Sequence, residues 1–191
     1  SEQKYNGFGV SACAVCDGFF FKNQEVAIVG AVDTAAEEAT YLAKLCSKVH
    51  MLVRRDEFRA SKAMVHRVMN TPNIEVHYNS EAKEVLGDGQ VVTGIRVINN
   101  KDQSEKDLEV TGVFVAIGHK PNTELFTGIL DMDETGYLIT KPDSTATNIP
   151  GVFACGDVQD NILRQAITAA GTGCMAPLEA ERYLAAKESG E

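Results

Sequence analysis

Short apolar runs alternate with a helical pattern in the first part of the chain. Residues 25–30 form a β-branched run that ends in Gly30, and residues 33–45 then carry Ala, Leu and Tyr at helical spacing. This order predicts a strand, a tight turn and a helix. A second apolar run at 48–53 completes a βαβ unit of roughly thirty residues, whose two strands should be parallel neighbours.

The next segment predicts another helix and strand. Ser61 is a residue type that caps helices, and the helix after it should run to about Met69. The turn residues Thr71-Pro72-Asn73 end that helix, and residues 74–78 form the following strand.

The pattern changes between residues 81 and 110. Short strands are separated by a Gly87-Asp88-Gly89 turn and by a polar stretch at 99–106, which predicts an antiparallel excursion. The apolar run 113–117, closed by Gly118, has the composition of a buried strand that returns to the parallel sheet.

The remaining segment predicts less regular structure. A loop at 120–122 is followed by short strands near 137–140 and at 152–155, and by a last helix from about Arg164 to Ala186. Pro177 lies inside that helix, where proline costs about 3 kcal/mol relative to Ala and should bend the helix.

Composition describes an ordinary globular chain. Its 191 residues are 44% hydrophobic and 24% charged, enough for one domain and part of a second. A net charge of −9 argues against a main role on nucleic acid or an anionic membrane. No long apolar run and no signal-peptide pattern occur, so a cytoplasmic location is expected.

Five cysteines give an odd number, which argues against a disulfide framework. Cys46, Cys155 and Cys174 lie in apolar stretches and are expected to be small buried hydrophobes. Cys13 and Cys16 form a C-x-x-C pair at the start of a helical turn, where they can close a small disulfide ring. The helix amino terminus favours the thiolate that exchanges disulfides.

Two other interpretations of the C-x-x-C pair stay open: half a zinc site, and two inert buried thiols. A zinc site needs a second pair of ligands, but His50, His66, His77 and His119 are scattered singly along the chain, so we expect no metal. Asp17 could donate a proton to a leaving thiolate, or it could simply be a carboxylate at the helix start.

The turn after the first βαβ strand lies where a dinucleotide fingerprint belongs. Gly30 stands at the tight turn and Ala35 at the close contact between helix and sheet. Val32 occupies the middle glycine position, where the backbone must approach a pyrophosphate without a Cβ. We therefore expect pyrophosphate binding to be weakened or displaced there.

Arginines cluster beyond the end of the second strand. Arg54, Arg55 and Arg59 stand where an acidic residue would hold the ribose hydroxyls of NAD, and arginine there suits a 2′-phosphate. The cluster predicts NADP(H); the alternative is a solvated basic surface.

A second candidate ligand site lies near the last helix. Gly156 and Asp157 follow a predicted strand, and Arg164, Gln165 and Ala166 begin the helix. A helix amino terminus can bind an anion or polar ligand, and an Asp at a strand end can take sugar hydroxyls. Gly-Asp is also a common turn dipeptide, so this site has an ordinary alternative.

Taken in order, these motifs resemble bacterial-type, low-molecular-weight thioredoxin reductases over nearly the whole chain. The matching segments are Ser11-Ala12-Cys13-Ala14-Val15-Cys16-Asp17-Gly18, the Gly30 turn with Glu37-Glu38-Ala39, Arg54-Arg55-Asp56-x-Phe58-Arg59-Ala60, Val115-Ala116-Ile117-Gly118-His119-x-Pro121-Asn122, Gly156-Asp157, Arg164-Gln165-Ala166 and Gly171-Thr172-Gly173.

The resemblance implies a path from NADPH to FAD, to the cysteine pair and to thioredoxin. It implies that Cys16 faces the flavin, that Cys13 attacks the thioredoxin disulfide and that Asp17 is the acid–base group. The residues it implies for NADP(H) are Gly30, Ala31, Val32, Asp33, Thr34, Arg54, Arg55, Arg59, Ile117 and Gly118. Those it implies for FAD are Gly156, Asp157, Arg164, Gln165 and Ala166.

The implied fold class is α/β, with a Rossmann-like NADPH-binding domain and an incomplete FAD-binding segment. We expect a linker at 1–10, the NADPH-binding domain with the C-x-x-C pair at 11–120, and the closing part of the FAD domain at 121–191. The family opens with an FAD-binding half that this sequence lacks, and a homodimer is the expected state of the complete enzyme.

Three departures from the family pattern weaken the expectation of full activity: Val32 for Gly, Leu163 for an aromatic residue, and Pro177 for Ala. We expect the chain alone to be colourless and inactive. Alternatives are an NADP(H)-binding module without turnover and a fragment that self-associates through residues 152–163. The reductase partner of a peroxiredoxin has similar motifs, but its fused thioredoxin-like domains are absent from this sequence.

Overall fold

The computed structural model describes residues 1–190, which form two units divided between Gly118 and His119. The helices are α1 (Ala14–Asp17), α2 (Asp33–Leu42), α3 (Lys62–Met69) and α4 (Ala166–Ser189). The strands are β1 (Val10–Ser11), β2 (Glu25–Val29), β3 (Lys48–Val53), β4 (Ile74–Tyr78), β5 (Ser80–Gly87), β6 (Val92–Asn99), β7 (Glu105–Leu108) and β8 (Gly112–Val115). Short 3₁₀ turns occur at Glu2–Tyr5, Gly18–Phe21, Glu124–Phe126 and Gly156–Val158.

The first unit contains two sheets. A parallel sheet has the strand order β1-β8-β2-β3-β4, and β5, β6 and β7 form a separate antiparallel sheet. β2 and β3 are joined through α2 as the βαβ pattern predicts, with Val26 opposite Val49. The structure confirms the predicted α/β class, with a parallel sheet and an antiparallel excursion.

The parallel sheet is buried on both faces. One face packs against α2 through Ile28, Met51 and Phe114, which lie in one core with Ala39 and Leu42. The other face packs against the antiparallel sheet and forms a second core. Burial on both sides explains why β2 and β3 are nearly continuous apolar runs rather than alternating ones.

Residues 1–10, predicted as a linker, pack against this first unit. Tyr5 is 3% exposed and belongs to the second core, and Val10 opens β1. The backbone N–H of Val85 donates to Ser1 Oγ at 2.9 Å. The beginning of the described chain is therefore part of the unit that contains the cysteine pair.

The second unit is less regular than predicted. Two isolated bridges, Met132 with Leu138 and Ala146 with Phe153, occur where the sequence predicted strands at 137–140 and 152–155. Side chains take over the backbone partners that a sheet would supply. Thr147 Oγ1, for example, donates to the carbonyl of Val152 at 2.9 Å.

The last helix begins two residues later than predicted and is longer. Gln165 and Thr168 form a capping box at its start, and Gly190 ends it with φ of 77°. The helix continues through Pro177 to Ser189 without a break. Among residues 1–190, no helix has both the length and the apolar character needed to cross a membrane.

Candidate redox and nucleotide sites

Cys13 and Cys16 form a disulfide at the start of α1, with their Cα atoms 5.3 Å apart. Cys13 is the N-cap of the helix, and its Sγ accepts the backbone N–H of Cys16 at 3.2 Å. The helix has only four residues, which lie within the disulfide ring or directly after it. The pair therefore combines a closed disulfide with the amino-terminal backbone groups that stabilise a thiolate after reduction.

Ser11 connects Asp17 to the disulfide. Its hydroxyl donates to Asp17 Oδ2 at 2.6 Å, and its Oγ accepts the backbone N–H of Cys13 at 3.0 Å. Ser11 is 8% exposed and lies on β1, so the parallel sheet fixes its position. Asp17 is thus held beside the cysteine pair, the location that its predicted role as a proton donor requires.

Glu38 of α2 contacts the first residue of α1. Its carboxylate accepts the backbone N–H of Ala14, and its Oε2 is buried without a hydrogen-bond partner. Burial raises the pKa of Glu38 to about 7, against the smaller opposite effect of the Ala14 N–H. A carboxyl group that changes charge near neutral pH thus lies at the N-terminus of the disulfide helix.

Apolar side chains are exposed next to the disulfide. Val15 lies between the two cysteines and is 60% exposed, and Phe19 and Phe20 are 66% and 74% exposed. Large exposed side chains of this kind mark contact surfaces for other proteins.

The remaining cysteines differ from one another. Cys46 is buried, as predicted, and burial raises the pKa of its thiol to about 11. Cys155 is half-buried. The prediction of burial was wrong for Cys174, which is exposed because α4 has no buried residue.

A cavity of about 490 Å³ opens at the carboxyl ends of β2, β3 and β8. It is lined by the turn residues Gly30, Ala31 and Val32, by Arg54, Arg55 and Arg59, and by Ile117. The carboxyl edge of a parallel sheet is where nucleotides bind in this class of fold. The structure therefore brings the predicted glycine turn and arginine cluster to one cavity.

The glycine turn is packed too tightly for a side chain at its first position. Gly30 has φ of 153°, and a Cβ there would lie 2.3 Å from the carbonyl oxygen of Ala116 and 2.8 Å from Ala35 Cβ. Val32 is the N-cap residue of α2 and lines the cavity. Its isopropyl group therefore lies on the wall where a pyrophosphate would meet the helix N-terminus.

The three arginines are exposed and form no salt bridge to a carboxylate within residues 1–190. The backbone N–H of Arg59 donates to the Ala31 carbonyl at 2.8 Å, which connects the segment that carries the arginines to the glycine turn. Glu2, Glu57 and Glu81 also line the cavity, but because none of them forms a salt bridge with the three arginines, the guanidinium groups are available to an anionic ligand.

Three of the residues predicted to bind the nucleotide, Asp33, Thr34 and Gly118, have other surroundings. Asp33 Oδ1 accepts the backbone N–H and the hydroxyl of Ser61, at 3.0 and 2.8 Å, and these bonds hold the pKa of Asp33 below its usual range. Thr34 is half-buried on α2 and Gly118 has open space around it; neither is among the residues that line the cavity.

The second unit gathers its predicted residues at the start of α4. Gly156 has φ of 76°, and its N–H donates to Thr172 Oγ1 at 2.9 Å, which holds the Gly156–Val158 turn, including exposed Asp157, against α4. Asp160 accepts the backbone N–H groups of Ile162, Leu163 and Arg164. Arg164, Gln165 and Ala166 lead into the helix from this ordered loop.

Three features escaped the sequence prediction. Ser11 and Glu38 lie in segments that resemble thioredoxin reductases, but the sequence predicted no role for either. The histidines, described as scattered, include a contacting pair: His50 Nδ1 and His77 Nε2 lie 3.0 Å apart. The signal was available in part, because both residues lie on adjacent apolar strands of the predicted parallel sheet.

Comparison with known proteins agrees with this geometry. Residues 1–173 match the family described as pyridine nucleotide-disulphide oxidoreductase. Thioredoxin reductase of Debaryomyces hansenii is 53% identical over 190 residues, which are 98% of this chain and 59% of that protein. Thioredoxin reductase of Escherichia coli O157:H7 is 53% identical over 193 residues, covering 96% of this chain and 60% of that protein.

Solved structures give the same result. Thioredoxin reductase from Streptococcus pyogenes superposes with a TM-score of 0.93 at 38% identity, over 97% of this chain and 60% of that one. The enzyme from Giardia duodenalis superposes with a TM-score of 0.88 at 47% identity, over 96% and 60%. The chain thus spans about 60% of the length of these relatives, and it belongs to the pyridine nucleotide-disulphide oxidoreductase family.

Proposed function

We propose that the chain is the part of a thioredoxin-disulfide reductase that carries the dithiol and binds NADP(H). One observation carries the proposal: the Cys13–Cys16 disulfide lies on the same unit as a cavity that combines a tight glycine turn with three arginines. The thioredoxin reductases that are similar over nearly the whole chain support it.

The donor set of the cavity fits NADP(H). The guanidinium groups of Arg54, Arg55 and Arg59 would hold the 2′-phosphate, and the α2 N-terminus would face the pyrophosphate, with Val32 reducing the room for it. In the second unit, Asp157, Arg164 and Gln165, with Gly156 and Ala166, would contact FAD. When bound, NADPH and FAD supply the electron pair that reduces the Cys13–Cys16 disulfide.

The reduced pair then acts on a protein disulfide. The Cys13 thiolate attacks one sulfur of that disulfide, and the other sulfur leaves as a thiolate that takes a proton from Asp17. The Cys16 thiolate attacks the Cys13 sulfur in the resulting mixed disulfide and releases the second substrate sulfur as a thiolate, which takes a proton from solvent. The substrate gains two electrons and two protons, and Cys13 and Cys16 return to the disulfide.

The substrate we propose is thioredoxin. The surroundings of the disulfide include the exposed apolar side chains of Val15, Phe19 and Phe20, which offer a surface on which thioredoxin can dock. Small disulfides would react without needing that surface. Rates with the two kinds of substrate therefore separate protein recognition from thiol chemistry.

A trapping experiment tests the assignment of the two cysteines. Thioredoxin with one active-site cysteine replaced and the other activated by thionitrobenzoate reacts once with a thiolate and releases a yellow product. We expect Cys16→Ser, which keeps Cys13, to release it at least tenfold faster than Cys13→Ser, and to yield a mixed disulfide visible by mass spectrometry.

A Cys174→Ser change in each variant removes the exposed thiol of α4 as a competing nucleophile. Equal rates for the two variants would overturn the assignment of Cys13. The docking surface is tested by adding Phe20→Ser to the Cys16→Ser variant. If both variants react with activated thioredoxin at the same rate as with a small activated disulfide, the result would argue against a docking surface.

A second candidate, self-association without catalysis, is favoured by the surface of the second unit. Ile162, Leu163 and Ile167 are 80%, 57% and 80% exposed. Sedimentation that depends on concentration, and that Ile167→Ser abolishes, would support it. A cytoplasmic location, and a homodimer as the state of the complete enzyme, stay predictions.

A further inference from the structure

His50 and His77 meet on neighbouring parallel strands, although they are 27 positions apart in the chain. Register pairs His50 of β3 with Glu75 of β4, and His77 follows two residues later, so all three side chains lie on one face of the sheet. The two histidine side chains are each 6% exposed, and His50 Nδ1 lies 3.0 Å from His77 Nε2.

Glu75 supplies a third donor to the same point. Its Oε1 lies 3.5 Å from His77 Nε2, and its Oε2 lies 4.0 Å from His50 Nδ1. Two ligands of a tetrahedral zinc ion with bonds of about 2.0–2.1 Å are roughly 3.3 Å apart. With one carboxylate oxygen taken from Glu75, the three ligand atoms lie within 4.8 Å of one another. They therefore need shifts of about 1.5 Å or less to form one face of that tetrahedron.

An outer carboxylate already orients one of the rings. Glu25 Oε2 lies 3.0 Å from His50 Nε2. In the tautomer with a proton on Nε2, Glu25 accepts that N–H, and the Nδ1 lone pair of His50 is directed toward the other two ligand atoms. Metal-binding histidines usually donate their second ring N–H to a carboxylate in this way. Glu75 is 47% exposed, so water can reach the fourth position.

Two lysines contact the cluster. Lys106 Nζ lies 3.0 Å from His77 Nδ1, and Lys48 Nζ lies 2.5 Å from Glu75 Oε2. For His77 to bind an ion through Nε2, the ring proton must be on Nδ1. Lys106 must then turn away, because its ammonium group lies beside that nitrogen. Lys106 is exposed, so solvent can accept its ammonium group.

We propose that His50, Glu75 and His77 form a binding site for Zn²⁺, with water as the fourth ligand and Glu25 as the outer partner of His50. The ion would join β3 to β4 on the sheet face away from α2. The site is independent of the redox proposal, because it uses neither the cysteine pair nor the nucleotide cavity.

The test is calorimetric titration of Zn²⁺ into the full chain with the Cys13–Cys16 disulfide closed and Cys174→Ser in place, so that these thiols cannot bind metal. We expect one ion per chain. His77→Gln and His50→Gln should weaken binding at least 100-fold, and Glu75→Gln about tenfold, the range seen when ligands or their supports are lost. Co²⁺ should give the absorption of a tetrahedral site.

Lys106→Met serves as the second variant, since it removes a competing cation without removing a ligand. It should tighten Zn²⁺ binding several-fold. His66→Gln and His119→Gln, two exposed histidines outside the cluster, are the matched controls and should leave affinity unchanged. No measurable binding by the parent chain, or equal affinity in the parent and in folded His77→Gln, overturns the site.

Discussion

The Ser11 hydroxyl donates to Asp17 Oδ2 at 2.6 Å, and Ser11 Oγ accepts the backbone N–H of Cys13 at 3.0 Å. This arrangement fixes the carboxyl group of Asp17 relative to the disulfide from a buried position on the sheet. The Asp17 carboxyl group, the predicted proton donor, is therefore held by a residue of β1 as well as by the short helix that carries it.

Ser11→Ala should slow thiol–disulfide exchange by the reduced pair about three- to tenfold, the value of one hydrogen bond of roughly 0.5–1.5 kcal/mol. Asp17→Asn should slow it about 100-fold, because it removes the proton itself. Stopped-flow measurement with oxidised thioredoxin checks both. Ser104→Ala, at an exposed turn, is the control, and an Asp17→Asn rate within twofold of the parent would exclude the acid role.

Glu38 predicts a pH dependence of stability. Its folded pKa of about 7 lies above the ordinary 4.5, so the folded chain binds more protons between these values. The contribution to stability is full below pH 4.5 and is lost as pH rises through 7. The shift corresponds to about 3 kcal/mol at most, and solvent screening of this half-buried group reduces it to roughly 1–2 kcal/mol.

Glu38→Gln should remove that dependence and raise the free energy of unfolding at pH 8 by roughly 1 kcal/mol. Urea unfolding at pH 5 and pH 8 measures it. Glu37→Gln, at the exposed neighbouring position, should change neither value. A parent chain whose stability does not fall between pH 5 and pH 8, relative to Glu38→Gln, contradicts the buried acid.

The outline of the first unit could be predicted because strands that are buried on both faces of a sheet have nearly continuous apolar sequences, as at 25–30 and 48–53. Gly30 could be identified from its position at the turn between the first strand and helix, and the structure gives the reason for glycine there, since a Cβ would collide with the Ala116 carbonyl. The second unit was harder: its bridges at Leu138 and Phe153 depend on side-chain hydrogen bonds that leave no periodic pattern.

Contacts across strands explain the other omissions. His50 and His77 become neighbours only through the register of β3 and β4, and a sequence pattern gives strands without register. Glu38 was likewise invisible, because its burial depends on α1 folding over α2 and not on the spacing within α2.

Gly30→Ala should destabilise the chain by roughly 3 kcal/mol or more, because a Cβ at 2.3 Å from the Ala116 oxygen forces the turn away from β8. Gly118→Ala separates strain from collision. Gly118 also has a positive φ, 98°, but no atom within 4 Å of its added Cβ, so about 1 kcal/mol is expected. Equal losses in the two variants would show that the collision is relieved at no cost.

Arg54, Arg55 and Arg59 predict a preference for NADPH over NADH. Replacing any one by Gln should weaken NADPH binding about tenfold and leave NADH binding nearly unchanged, because only NADPH carries the phosphate. Calorimetry with both nucleotides gives the ratio. Arg67→Gln on α3, exposed and outside the cavity, is the control. Equal losses for both nucleotides would assign these arginines to a general anion surface.

Val32→Gly tests the steric effect of the isopropyl group at the turn. Removing it should tighten NADPH binding at least tenfold, since the pyrophosphate can then approach the N–H groups of α2. The gain should appear for NADH as well, because both nucleotides share the pyrophosphate, and this separates it from the arginine effect. Val91→Gly, in an exposed turn, corrects for the added backbone freedom. If Val32→Gly binds both nucleotides no better than the parent, Val32 is not the obstruction, and the cavity must owe its affinity to the arginines alone.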